Sequence, residues 1–463
     1  MVEFIVYDLV LLALFAIFVS LFLYKNRKNL KKEGLLFLYK AGWGIKLINY
    51  VGNKYTKTLK VLSYVSIALG YVLMATMLWF LGRIVWIYAF APDIVRAIKI
   101  PPIMPLIPYL PQAFKLDFLP PFFFIYWIVI LAVIAISHEF AHGIFAAYHK
   151  IKIKSTGFGF FPFFLPVFLA AFVELDEENM QKHKKTEQMA ILSAGTFANI
   201  LVAIFFGIIL SVFFSMAFVP GGVQFDSYAY EIANVSGIAN VNGIQLENPN
   251  VPQVVELLNS GELNEITYNG EVFVGVKQFV GEEYALLYYD APAINNLLGG
   301  IITKVNGVEI LDREKLGKEL NKYSAGETIT LTSIERDVLR TSEISLGQHP
   351  EIVFINQESS GLAEKITKIF MRYKKPNVYY KPRWDGASVF IYNLLWWLIL
   401  ISISVALINM LPVGIFDGGR FFYLTVLGIT GSKKIARRSF AILTQFFLLL
   451  LLVLMIFWVK SFF

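Results

Sequence analysis

The amino-acid sequence predicts an α-helical polytopic membrane protein with about six transmembrane helices, a re-entrant hairpin and one inserted soluble α/β region. Three observations carry this. Of 463 residues, 57% are hydrophobic and 16% charged, against about 45–50% and about 25% in an ordinary soluble domain. Much of the apolar sequence gathers into runs of the length needed to cross a bilayer, about 20 residues. Residues 219–386 break that pattern with Gly, Asn, Glu, Thr and Ser throughout.

The chain contains no Cys. That excludes a disulfide framework, a Cys zinc finger, an iron–sulfur site and Cys nucleophile chemistry. The net charge of +7 reads as basic loops flanking membrane spans rather than as a nucleic-acid surface.

Spans are expected at about 4–24, 61–90, 122–147, 188–218, 387–411 and 439–460. The first lacks a basic leading region and a small-residue cleavage site, so it reads as an anchor with its N-terminus outside. Lys25, Arg27, Lys28, Lys31 and Lys32 follow span one, and Lys150, Lys152 and Lys154 follow span three. Lys182, Lys184 and Lys185 precede span four; Lys433, Lys434, Arg437 and Arg438 precede span six. Six alternating crossings put all these clusters on one side, the cytoplasmic one.

Between the spans, residues 33–60 mix aromatic residues with spaced Lys and suit an interfacial helix or hairpin. Residues 91–121 hold eight prolines, cannot form a continuous helix, and read as an external cap. Segment 155–175 is apolar but broken by Gly157, Gly159, Pro162 and Pro166. It fits a re-entrant hairpin beside a wet cavity, since irregular backbone at membrane depth needs such a setting. The organisation is thus 1–121 (N-terminal membrane region), 122–218 (first half of the membrane core), 219–386 (insertion) and 387–463 (second half of the core).

Inside the insertion, residues 236–259 and 299–321 repeat one pattern: strand, Val-Asn-Gly, short strand, amphipathic helix. Asn-Gly favours a tight turn because both central residues need positive φ. The pattern resembles PDZ domains, most clearly in the second copy, and implies two PDZ-like modules in tandem on the extracytoplasmic side. A single irregular α/β insertion is the competing reading.

His138-Glu139-Phe140-Ala141-His142 lies within span three. Positions i and i+4 share a helix face, so both imidazoles can hold one metal while Glu139 handles a proton from metal-bound water. The bland alternative, two structural histidines, is weakened by membrane depth, where ionisable groups are costly. A catalytic zinc usually has three protein ligands and an open position. Without Cys, the third is Asp, Glu or another His, and His149, His183 and His349 lie in charged or soluble stretches. The other polar break in apolar sequence is Asn409-Met410-Leu411-Pro412-Val413-Gly414-Ile415-Phe416-Asp417-Gly418-Gly419. Taken alone, Asp417 reads better as the N-cap of the following short helix.

HEFAH in one span followed by NMLPVGIFDGG in a later one resembles the site-2 proteases, intramembrane zinc metallopeptidases whose pattern is HExxH and then NxxPxxxxDG. Gly195-Thr196-Phe197-Ala198-Asn199 in span four is similar to that family's Gly/Asn motif, with Thr196 where many members have Pro. The resemblance runs from about span three to the DGG segment. It implies one zinc held by His138, His142 and Asp417, with Glu139 as general base and then acid. It implies a membrane-protein substrate helix, cut within or near the bilayer after an earlier ectodomain cleavage. Asn199 or Asn409 would hydrogen-bond substrate backbone or the developing oxyanion; for each, a helix–helix hydrogen bond is the alternative. The PDZ-like modules would filter substrates by size or bind a new peptide C-terminus. Competing functions are a divalent-metal transporter using the same ligands, a membrane-anchored soluble peptidase, and an inactive scaffold.

Overall fold

The structure, a computed structural model, describes residues 2–33, 36–91, 95, 101–116, 119–160, 169–225, 227–324, 326–335, 338–346, 354–355, 373–375 and 377–460. Among them, six helices are long and apolar enough to cross a membrane. They are span one (Val2–Lys25), two (Thr56–Phe90), three (Phe124–Tyr148), four (Lys185–Ala217), five (Asp385–Asn409) and six (Lys433–Lys460). Spans two and six start several residues earlier than their apolar runs. Helical hydrogen bonding continues into the basic ends, where long Lys and Arg side chains reach toward water.

The chain divides into two compact units, Met1–Leu210 with Phe390–Phe463, and Ser211–Val389. In the first unit, the stretch expected as one interfacial element is several. Strands β1 (Leu30–Glu33) and β2 (Leu36–Ala41) precede a helix, Ile45–Lys54, and span two begins at Thr56. The segment expected as a hairpin forms antiparallel strands β3 (Ile153–Phe160) and β4 (Leu169–Leu175); its proline-bearing tip, 161–168, lies outside the described residues. The four strands make one sheet in the order β1-β2-β3-β4, with Phe37 opposite Phe160 and Thr156 opposite Val173. Helix Ile45–Lys54 packs on span three at Gly52, where a Cβ would lie 2.7 Å from the Ala147 Cβ. Small residues of this kind let helices approach closely.

Among the cores that hold the spans of this unit are two large ones. One joins Phe145, Met189, Ile191, Met410 and Phe421. The other gathers Phe122, Phe124, Trp127 and Trp397, with Met104 and Leu106 of the proline-rich segment packed against it. Asp8 of span one is only 3% exposed. Its carboxylate accepts from the N–H groups of Phe124 (2.7 Å) and Ile125 (3.0 Å) and from the Tyr109 hydroxyl (2.5 Å). The two N–H groups are donors that the first turn of span three cannot satisfy within the helix.

The second unit contains two six-stranded systems. The first sheet is assembled from β7 (Tyr230–Asn234), β8 (Ile238–Val241), β9 (Ile244–Gln245), β10 (Ile266–Tyr268), β11 (Glu271–Val280) and β12 (Tyr284–Tyr289) in the order β7-β12-β11-β10-β8-β9. The second runs β16-β15-β13-β5-β18, with β14 paired to β13; its members are β5 (Phe218–Gln224), β13 (Ile301–Val305), β14 (Val308–Glu309), β15 (Thr328–Glu335), β16 (Val338–Ser345) and β18 (Val378–Pro382). β6 (Ser227–Tyr228) pairs with β17 (Phe354–Ile355).

Each sheet has its own core, around Val241, Ile266 and Phe273 in one and Val305, Ile329 and Leu331 in the other. Each holds one Val-Asn-Gly copy followed by a short helix, Val251–Glu256 or Arg313–Leu320. Asn242 and Gly243 have φ of 52° and 85°, and Asn306 and Gly307 have 46° and 80°, the paired positive φ of a tight hairpin turn. The asparagines also repeat one job. Asn242 Oδ1 accepts from Glu265 N, and Asn306 Oδ1 accepts from Thr330 N, stitching each turn to a neighbouring strand.

Candidate metal and catalytic site

His138 and His142 sit one turn apart on span three and are 7% and 9% exposed. Their Nε2 atoms lie 3.0 Å apart, and Asp417 Oδ2 is 3.3 Å from each. Donor atoms about 2.0–2.1 Å from a tetrahedral zinc would be separated by roughly 3.3–3.4 Å. The observed triangle is close to one face of that tetrahedron.

The hydrogen bonds behind the rings point the same way. His142 Nδ1 is 2.6 Å from the Ile191 carbonyl oxygen, an acceptor only, so Nδ1 carries the proton and a neutral ring presents a bare lone pair at Nε2. His138 Nδ1 lies 3.0 Å from the Asn199 amide, whose Oδ1 is otherwise buried without a partner. Turning that amide over lets Oδ1 accept from Nδ1–H, which leaves Nε2 of His138 bare as well. Two imidazole lone pairs and a carboxylate oxygen then converge, and a cation is what such a convergence binds. Two His and one Asp form a zinc-type donor set, so the residues present fit zinc.

Asp417 reaches the histidines because it is not a cap. The N-cap of helix Asp417–Thr430 is Phe416, with no side-chain capping bond, and Asp417 is the first helical residue. This corrects the local expectation of an Asp417 N-cap. The helix start is tucked under the preceding turn at Gly418, where a Cβ would lie 2.4 Å from the Met410 carbonyl carbon. On the other side, span four backs the histidines at Gly195. A Cβ there would lie 2.4 Å from His142 Nε2 and 2.5 Å from His138 Nε2.

The three candidate ligands and Glu139 open on a cavity of about 1160 Å³. Glu139 Oε2 accepts from Val173 N–H of β4 at 3.0 Å, and Ala171, Val173 and Glu174 form part of the wall. Asn409, at the end of span five, also lines the cavity. Asn199 does not: it is fully buried behind His138. At the rim, Arg420 pairs with Glu177 (2.9 Å), and Glu174 pairs with Lys40 (2.7 Å) and accepts from Ser155. Those bonds from Lys40 and Ser155 hold the Glu174 carboxyl below its usual range.

Sequence reasoning placed His138, Glu139, His142 and Asp417, and the structure brings all four together. It passed over Asp8, Val173 and the reason for Gly195. Gly195 and Asn199, four residues apart, share one helix face, and that spacing was the available signal. Among the described residues, His138, His142 and Asp417 are the one cluster of three or more such groups close enough to share a metal ion.

An uncharacterized protein of Methanocaldococcus jannaschii is 47% identical over 79 residues, 16% of this chain and 20% of that protein. The chain therefore spans about a fifth of the length of that relative. The family model of peptidase family M50 matches residues 126–454, a stretch that includes both the HEFAH helix and the Asp417 segment. With well over half of its length matched, and with two histidines and a distant aspartate gathered at one point, this chain belongs to peptidase family M50, the site-2 protease family.

Proposed function

We propose that the protein is a zinc-dependent intramembrane endopeptidase that hydrolyses peptide bonds within or near the spans of membrane-protein substrates. The observation that carries this is the convergence of two buried imidazoles and a carboxylate in apolar helical sequence, with Glu139 opening on the same cavity. When bound, zinc would supply a Lewis acid for the scissile carbonyl and a water whose pKa falls toward about 7. Glu139 would accept a proton from the attacking water at its carboxylate and return it to the leaving amine. Asn199 and the Ile191 carbonyl hold the two rings with Nε2 toward the metal position. Asn409, which lines the same cavity, would hydrogen-bond the substrate backbone.

A helical substrate hides its carbonyls in its own hydrogen bonds, so it must unwind to be cut. Among the described residues β4 ends its sheet, and its outer edge offers backbone groups to which an extended segment can add as a further strand. In this reading the basic clusters face the cytoplasm, the site lies toward that side, and the two sheet modules of the insertion are extracytoplasmic and PDZ-like. They restrict entry to substrates already clipped outside, by size or by capturing the new C-terminus, as regulated intramembrane proteolysis requires. A transport pathway would call for polar residues repeated across several spans; among the described residues there is one ligand cluster.

The test is cleavage of a fluorophore-labelled single-span peptide by the purified protein in detergent, with Glu139→Gln beside it. Cleavage by the wild type and its loss in the variant support the proposal. Equal cleavage by both removes Glu139 from its role.

A further inference from the structure

Glu139 and an incoming peptide need the same hydrogen-bond donor. We propose that docking of substrate on β4 takes the Val173 N–H from Glu139 and so frees the carboxylate for the attacking water. This rests on the endopeptidase reading above.

Among the described residues β4 pairs only with β3, and no strand lies on its other edge. Val173 stands opposite Thr156, yet its N–H points away from β3 and donates to Glu139 Oε2 at 3.0 Å. Val173 is therefore at a non-hydrogen-bonded position of that pair. With a two-residue period, Ala171 turns its backbone groups to the same edge. Both residues line the cavity that holds His138 and Glu139.

A peptide adding to this edge satisfies the outward N–H and C=O groups with its own backbone. Its carbonyl then accepts from Val173 N–H, and Glu139 loses that donor as the peptide arrives beside the ligand cluster. While the site is empty, the base is tethered to the strand; when the site fills, it is released. Val173 thus acts as a positioning residue through its backbone alone, and docking is opposed by the bond it must break.

That opposition can be read in two inactive variants. Glu139→Ala leaves Val173 N–H without its acceptor until a peptide supplies one. Glu139→Gln keeps an acceptor oxygen. Affinity for a fluorophore-labelled single-span peptide is measured by anisotropy in detergent. Glu139→Ala should bind about three- to tenfold more tightly than Glu139→Gln, the worth of one hydrogen bond. Val173→Pro removes the N–H, and its place on an edge facing away from the ladder tolerates proline. In that background the gap should close; with Val173→Ala it should persist. Equal affinity of the two single variants, or a gap that survives Val173→Pro, overturns the proposal. If Val173→Pro does not fold, the two single variants decide the matter. Wild-type cleavage of the same peptide is assayed in parallel. Its absence defeats the endopeptidase reading and this one with it, whereas cleavage with equal affinities defeats this one alone.

Discussion

Gly195 and His142 are in such close register that a single methyl group at position 195 would lie 2.4 Å from the imidazole Nε2. The glycine is there for space. Gly195→Ala should reduce zinc retention at least about tenfold, since ligand rings must be displaced, while helix content stays the same or rises: alanine favours a helix over glycine by roughly 0.5–1 kcal/mol. Metal analysis after dialysis, with circular dichroism on the same sample, checks both halves. Full zinc retention would show that the ring positions do not depend on this contact.

Asn199 and Asn409 should separate cleanly. Asn199 lies behind His138 and is fully buried, whereas Asn409 lines the cavity. Asn199→Ala should weaken zinc binding by roughly 10–100-fold, the usual range for the partner of a ligating histidine. Asn409→Ala should keep its zinc and lower kcat/KM. Competition with a fluorescent chelator reports the first and peptide cleavage the second; the reverse assignment would contradict the geometry.

Asp8 should matter for stability although it is far from the ligands in sequence. It accepts from Phe124 N, Ile125 N and the Tyr109 hydroxyl. Asp8→Ala leaves these donors without their acceptor and should cost about 1–3 kcal/mol, read as a lower unfolding temperature in detergent. A variant as stable as the wild type would show that other acceptors replace the carboxylate.

The ease with which these parts could be read from sequence follows their chemistry. His138, His142 and Asp417 stand out because ionisable residues are rare in apolar helices, and one helical turn explains the histidine spacing. The Asn-Gly turns were legible because positive φ at two successive positions restricts residue choice. Asp8 was not, because its partners lie 101–117 positions away and nothing local marks them. Val173 was invisible for a different reason: its part is played by a backbone N–H, which every residue but proline carries. The role of Asp417 as a cap was a sound local expectation that tertiary placement overrode, since the carboxylate turns to the histidines instead.

The Glu174 carboxyl should give the β2–β3–β4 region a pH dependence. Its pKa is lowered by the hydrogen bonds from Lys40 and Ser155. A depressed carboxylate contributes stability that is fully present above its unfolded pKa of about 4.3 and is lost as pH falls through the lower folded value. Glu174→Gln should therefore unfold at a lower temperature than the wild type at pH 7, and the difference should shrink below about pH 4. A gap that stays constant down to pH 2 would mean that the ion pair contributes nothing.

In the proposed function, His138, His142 and Asp417 hold a zinc ion that Glu139 works beside. The most direct measurement of this is the zinc content of purified wild type, Asp417→Ala and Glu139→Gln, with cleavage of the single-span peptide assayed on the same samples. One zinc per chain and cleavage are expected in the wild type, loss of both in Asp417→Ala, and retained zinc without cleavage in Glu139→Gln. Full zinc and undiminished cleavage in Asp417→Ala would contradict the proposed function.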